Sequence, residues 1–374
     1  MSPQHPVEPS GGRLAALRGP RPPQPYTARK ITALTANPAC SRRAVLDAAG
    51  VDKALLAQRM GYEPRFGQSP FAIAREQAFE ALVKWGGYAE LIRLLREQLD
   101  VPVEEAGVTD LNEVGGDVSL ARRAKETRSL LARLASGGDE RLILDRPVLT
   151  LEVAGQTAYL EPQALTHRVG GKFYVVEIRS FPAIDGQANP TAVAQTAKQA
   201  AVSVLALHRA FEALGLDAGQ IAHEFLLICP KDFSNRPYGR MVDLRQELDA
   251  LRFQLTRLRR ADDLAQALPP SATLDTDRDT DELGSSVGTL DASYTPDCLS
   301  FCEMARYCRD EATACASPTR LGGTVRSALP GVDSTRTALA YLDGVHAPGS
   351  AEAAAIGRLR AAERLRRLRR GDVA

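Results

Sequence analysis

Residues 157–182 read TAYLEPQALTHRVGGKFYVVEIRSFP, and the fold turns on how this stretch is read. Apolar, β-rich runs flank Gly170-Gly171, a glycine pair suited to a tight hairpin turn. The second run, Phe173 to Ile178, is apolar except for Glu177, and Arg179 follows directly. A carboxylate at the end of a strand buried elsewhere is costly unless a metal or a cation pairs with it. Strand alternation sends Glu177 and Arg179 to one face. The same spacing on the first run sends Glu161 and Gln163 to one face. The hairpin is therefore expected to floor a site, with the rest of the chain holding it.

Composition sets broad limits. At 374 residues the chain can bury a sizeable core. Its 47 Lys and Arg nearly balance 46 Asp and Glu, for a formal net charge of +1. Bulk charge therefore neither favours nor excludes nucleic acid, and only local patches can speak. No apolar run reaches the roughly 20 residues of a membrane span, and the start of the chain lacks a signal-peptide core. The expectation is a soluble, cytoplasmic protein.

Outward from the hairpin, Val148 to Val153 alternates as a strand that turns at Gly155. Upstream, Ser69 and Pro70 open a helix to Trp85 with an inner stripe of Ile73, Phe79 and Leu82. A second helix runs from Tyr88 to Leu99 and a third from Val118 to Leu134. Downstream come an Ala-rich helix, Thr191 to Leu214, a short apolar strand, Glu224 to Cys229, and a helix from Val242 to Arg260. Five regions follow from this reading. Residues 1–30 are a Pro-rich arm expected to be disordered, and residues 31–260 are the core. Residues 261–290 are an acidic linker expected to be flexible. Its aspartates 275, 277, 279 and 281 lack the glycine and terminal glutamate of a calcium loop. Residues 291–318 hold most of the cysteines, and residues 319–374 form a tail ending in an arginine-rich helix. That helix reads either as a phosphate-contacting arm or as an amphipathic partner helix using Leu359, Leu365 and Leu368.

Six cysteines are sparse for a disulfide framework in a chain this long. Cys298, Cys302 and Cys308 fall within eleven residues, which in a reducing compartment points to metal. Cys40 is a distant fourth ligand and Cys315 a competing one. Cys229, ending an apolar strand, reads as core. Thiolates suit zinc or iron–sulfur. Zinc modules usually take ligands in two local pairs. A three-plus-one arrangement looks more like a 4Fe–4S staple between the ends of the chain.

One early cysteine, three late ones, and a strand carrying Glu177 two residues before Arg179 together resemble a known family. These are the RecB-like nucleases of the PD-(D/E)XK superfamily that carry an iron–sulfur cluster, among them CRISPR-associated exonucleases and the nuclease domains of recombination helicase–nucleases. The resemblance implies an α/β, restriction-endonuclease-like core, an antiparallel-to-mixed sheet flanked by helices. It implies a 4Fe–4S cluster on Cys40, Cys298, Cys302 and Cys308, with zinc as the alternative. It also implies DNA as partner, with a helicase or another DNA-processing protein beside it. Glu177-Ile178-Arg179 sits where the family has Glu-X-Lys, Gln163 where it has an aspartate ligand, and Gln199 to Ser203 where it has a helical Gln-X-X-X-Tyr. Arg75 and Glu76 stand where relatives often place a histidine.

Three expected active-site residues are altered together: aspartate to Gln163, lysine to Arg179, tyrosine to Ser203. Holding magnesium or manganese for phosphodiester hydrolysis needs carboxylates, and arginine cannot take a proton from water. Glu161, one pleat from Gln163, is the expected replacement ligand beside Glu177, with Glu76 or Glu80 supplying another from the first helix. Two functions stay open at this point: a metal-dependent deoxyribonuclease, and a DNA-binding or scaffold subunit that keeps the fold and cluster without catalysis.

Overall fold

The computed structural model describes residues 12–64, 70–99, 107–111, 119–136, 142–169, 171–295, 298–321, 323–345, 349 and 352–370. The strands in chain order are β1 (Gly107–Asp110), β2 (Leu142–Asp145), β3 (Leu149–Val153), β4 (Gln156–Leu160), β5 (Ala164–Val169), β6 (Lys172–Ile178), β7 (Ala183–Ile184), β8 (Gln187–Ala188), β9 (Ile221–Pro230) and β10 (Pro237–Asp243). Six of them make one mixed sheet in the order β1-β2-β5-β6-β9-β10. β2, β5 and β6 run antiparallel in turn, and β9 lies parallel to β6. The helix Pro190–Leu214 provides the crossover between β6 and β9 that a parallel pair requires. Asn189 caps its start, Pro190 fits its first turn, and Gly215 ends it in the left-handed conformation.

Alternation along β6 splits the core between the sheet's two faces. Phe173 and Val175 pack into the larger core, which contains Ala200, Ala201, Val204 and Phe211 of the crossover helix. Tyr174, Val176 and Ile178 pack against Phe79, Val83, Leu91 and Leu95 on the other face. Those last four belong to Pro70–Leu99, which is two helices joined at a break. Gly86, Gly87 and Tyr88 all take positive φ there, as the paired glycines predict.

The structure corrects several sequence expectations. β4 pairs with β3 and not with β6. Residues 161–163 are therefore a loop between β4 and β5, and strand alternation does not govern Glu161 and Gln163. Strands β1, β2 and β10 form where no strand is expected. His167 is buried, with its ring 4.5 Å from that of Phe173.

The expected disordered arm and flexible linker order each other. Residues 1–11 lie outside the described part, but Arg13–Arg18 is a helix that buries Leu14 and Leu17. The linker forms the helices Ala261–Gln266 and Thr280–Gly288 and buries Leu264, Leu274, Leu283 and Val287. Leu274 donates its N–H to the Leu17 carbonyl at 2.7 Å, and Arg21 ion-pairs with Asp277. The buried leucines of both segments join one hydrophobic cluster. Asp279 is spent as a helix cap, and Asp275 accepts the Asp277 N–H. Among the described residues no helix is long and apolar enough to cross a membrane.

Candidate functional site

The C-terminal end of β6 opens into a cleft of about 590 Å3. Its walls come from the first half of Pro70–Leu99, with Arg75, Glu76 and Glu80, and from the crossover helix, with Lys198 and Gln199. Arg179 reaches it from the end of β6 and Gln163 from the loop before β5, and Arg29 also lines it. The chain thus brings Gln163, Arg179, Gln199 and Glu80 into one place, with Glu177 buried directly beneath Arg179.

Arg179 organises this centre. Its Nη2 donates to Glu177 Oε2 at 2.7 Å and to Gln199 Oε1 at 3.2 Å, while its Nη1 donates to Glu76 Oε1 at 2.9 Å. The guanidinium lies among the very groups that would otherwise be offered to a metal. Burial pushes the Glu177 carboxyl above its usual range against the pull of Arg179, and Glu76 and Glu80 push it the same way. Burial works against the Arg179 charge, but Glu177 and Glu76 outweigh it and hold the guanidinium charged.

A second cation sits beside Glu80. Lys84 Nζ lies 2.6 Å from Glu80 Oε1 and 2.6 Å from Asp145 Oδ1. Arg146 reaches the same Glu80 oxygen at 3.2 Å. Gln163 donates from Nε2 to Glu80 Oε2 at 3.4 Å, and its Oε1 accepts the Ile178 N–H. The amide therefore ties the loop to the end of β6, and both of its polar ends are occupied. Among the described residues, no three side chains of metal-ligating type form a ready metal seat.

Glu161 is not part of this centre. It pairs with Arg123 of the helix Leu120–Ala135 at 2.7 Å, outside the cleft, because the loop breaks the pleat that was expected to carry it. Sequence reasoning missed Lys84 and Asp145. Both left a trace: Lys84 is four residues after Glu80, the spacing of a helical ion pair. Asp145 ends the apolar run Leu142-Ile143-Leu144, the same signature that marked Glu177.

The cysteines form a second constellation. All six are free thiols, and Cys40, Cys298, Cys302 and Cys308 line one mostly apolar pocket. Cys40 stands at the start of the helix Ser41–Ala48, whose Arg42 and Arg43 reach the 298–311 segment. Arg42 forks onto Glu311 at 2.7 and 2.9 Å and also donates to Cys308 Sγ at 3.2 Å. Arg43 donates to the Phe301 carbonyl and pairs with Asp47, which Lys53 also holds. Asn37 and the Thr295 N–H approach Cys298 Sγ at 3.6 and 3.5 Å. Burial pushes the Cys302 thiol up to about 11 and the Cys308 thiol up to about 12. Arg43 and Lys53 beside Cys302, and Arg42 beside Cys308, pull the other way. Three or four soft donors, cations nearby and N–H groups aimed at sulfur fit a thiolate-held cluster. Cys229 is buried in β9, as expected of a core residue, and Cys315 is exposed and away from the pocket.

No family model, no curated protein and no solved structure matches this chain.

Proposed function

We propose that this chain is a nuclease-derived DNA-binding subunit of the restriction-endonuclease-like type that has given up metal-dependent cleavage. The observation that carries this reading is the Arg179 guanidinium, bonded at once to Glu177, Glu76 and Gln199. A divalent ion at this position would have to displace a cation already neutralised by its own carboxylates. Lys84 gives Glu80 and Asp145 the same internal partner. Arginine remains protonated at any ordinary pH, so it binds phosphate without activating water. Arg29, Arg75 and Lys198 around the cleft favour a phosphate backbone.

In this reading Cys40, Cys298, Cys302 and Cys308 would hold a 4Fe–4S cluster, which supplies a structural tie between the two ends of the chain. The four thiols line one pocket, which supports a shared set of sulfur ligands. Arg42, Arg43, Asn37 and Thr295 then orient and stabilise the thiolate sulfurs by hydrogen bonds and charge. The test is purification without oxygen, followed by iron and sulfide analysis and a visible spectrum. Stoichiometric iron and sulfide, lost in Cys302→Ala, is expected. Stoichiometric zinc in a colourless protein would contradict it.

A further inference from the structure

The helix Ala353–Arg370 carries seven arginines, at 358, 360, 364, 366, 367, 369 and 370, against the single acid Glu363. Only its beginning is anchored. Ala355 and Ile356 pack with Val332 and Tyr341 in a small separate core, and Arg358 donates to the Ala328 carbonyl. Beyond that point the helix is largely exposed. Glu363 holds Arg366 and Arg367, whereas Arg360, Arg364 and Arg369 bond to no other described residue. Arg360, Arg364 and Arg367 follow one another at spacings of four and three, which places them along one edge over about 10 Å. That edge is long enough to meet two or three successive phosphates of one strand, which rise about 3.4 Å each in B-DNA.

We infer that this helix is a second nucleic-acid contact, a cationic arm that grips the sugar–phosphate backbone away from the Arg179 cleft. The inference rests on the DNA-binding reading above and extends it to a separate surface. Charge complementarity selects the partner: a concentrated, weakly hydrated guanidinium array matches phosphate oxygens. The apolar side of the same helix is too slight for the obvious rivals. Leu365 and Leu368, 64% and 61% exposed, are its only large exposed hydrophobic residues, and the helix has no aromatic residue. Insertion into a membrane interface needs a broader face with Trp, Phe or several leucines.

The test measures DNA affinity of the full chain as a function of salt. Three proteins are compared with the wild type: an arm variant with Arg360→Gln, Arg364→Gln and Arg367→Gln, the same three changed to Lys, and a cleft variant with Arg75→Gln and Lys198→Gln. All these sites are exposed, and circular dichroism checks that folding is unchanged. If each of the three arginines meets a phosphate, the slope of log affinity against log salt becomes shallower by about 2.7 in the Gln variant. The Lys variant keeps the wild-type slope. A Gln variant with the wild-type slope, alongside a cleft variant that loses it, overturns the arm and leaves the cleft reading standing. The opposite pattern supports the arm and contradicts DNA binding in the cleft. Vesicles of phosphatidylserine and phosphatidylcholine are titrated in parallel. Arginine-dependent binding to vesicles with no arginine dependence for DNA also overturns the proposal.

Discussion

Glu177 and Arg179 decide what the cleft can do. Removing Arg179 strands a buried carboxylate beside Glu76 and Glu80. We expect Arg179→Ala to cost about 3–5 kcal/mol in urea denaturation. Arg179→Lys keeps the charge but loses the fork onto three partners, so its cost is smaller, about 1–2 kcal/mol. The pH dependence has a definite sign. Burial holds the folded-state pKa of Glu177 above its ordinary 4.5. The stability linked to its protonation is fully present below 4.5 and is lost as pH rises through the raised folded value. Without Arg179 that folded value rises further. The deficit of Arg179→Ala is therefore smallest near pH 4.5 and grows toward neutral pH; a deficit independent of pH would contradict this assignment. The pairing of Glu177 with a cation was legible in the sequence, because a lone carboxylate on an apolar strand demands one. That the cation has three partners was not legible, since Glu76 and Gln199 come from helices on opposite sides of the site.

Several elements behave as local patterning dictates. The glycine pair 86–87 breaks a helix, Gly171 lies between β5 and β6, and the Ala-rich run forms the crossover. At Gly86 and Gly87 an added Cβ meets nothing within 4 Å, so only the positive φ resists substitution. Gly86→Ala and Gly87→Ala should each lower stability by about 1–2 kcal/mol, read as a shift in denaturation midpoint. The failures were failures of non-local pairing. Glu161 lies in a sequence that alternates like a strand, yet β4 pairs backward with β3 and leaves it in a loop. β1 is only four residues long and β10 is half polar; a sheet recruits such segments by hydrogen bonding more than by hydrophobicity. The 261–290 segment looked like a linker because Pro, Ser and Asp dominate it. Its leucines matter only once Leu14 and Leu17 arrive from the other end of the chain. Leu17→Ala should therefore cost about 2–5 kcal/mol. It should also expose both segments together to limited proteolysis; cleavage confined to residues near position 17 would contradict their mutual ordering.

At the scale of the whole molecule, the chain joins its ends twice. The 12–30 segment meets the 261–290 segment, and Cys40 with Arg42 and Arg43 meets the 298–311 segment. The cysteine grouping pointed to the second junction in the sequence, because the three thiols needed a fourth partner for which Cys40 and Cys315 competed. The Arg179 cleft opens at the C-terminal end of β6, an interior strand of the six-stranded sheet. The fold is proposed to hold DNA without cutting it. The most direct measurement incubates the purified chain with labelled single- and double-stranded DNA in magnesium and in manganese, scoring binding and cleavage on the same samples. Binding that weakens steeply with salt, with no cleavage in either metal, is the predicted result. Metal-dependent cleavage that disappears in Glu177→Gln would contradict it.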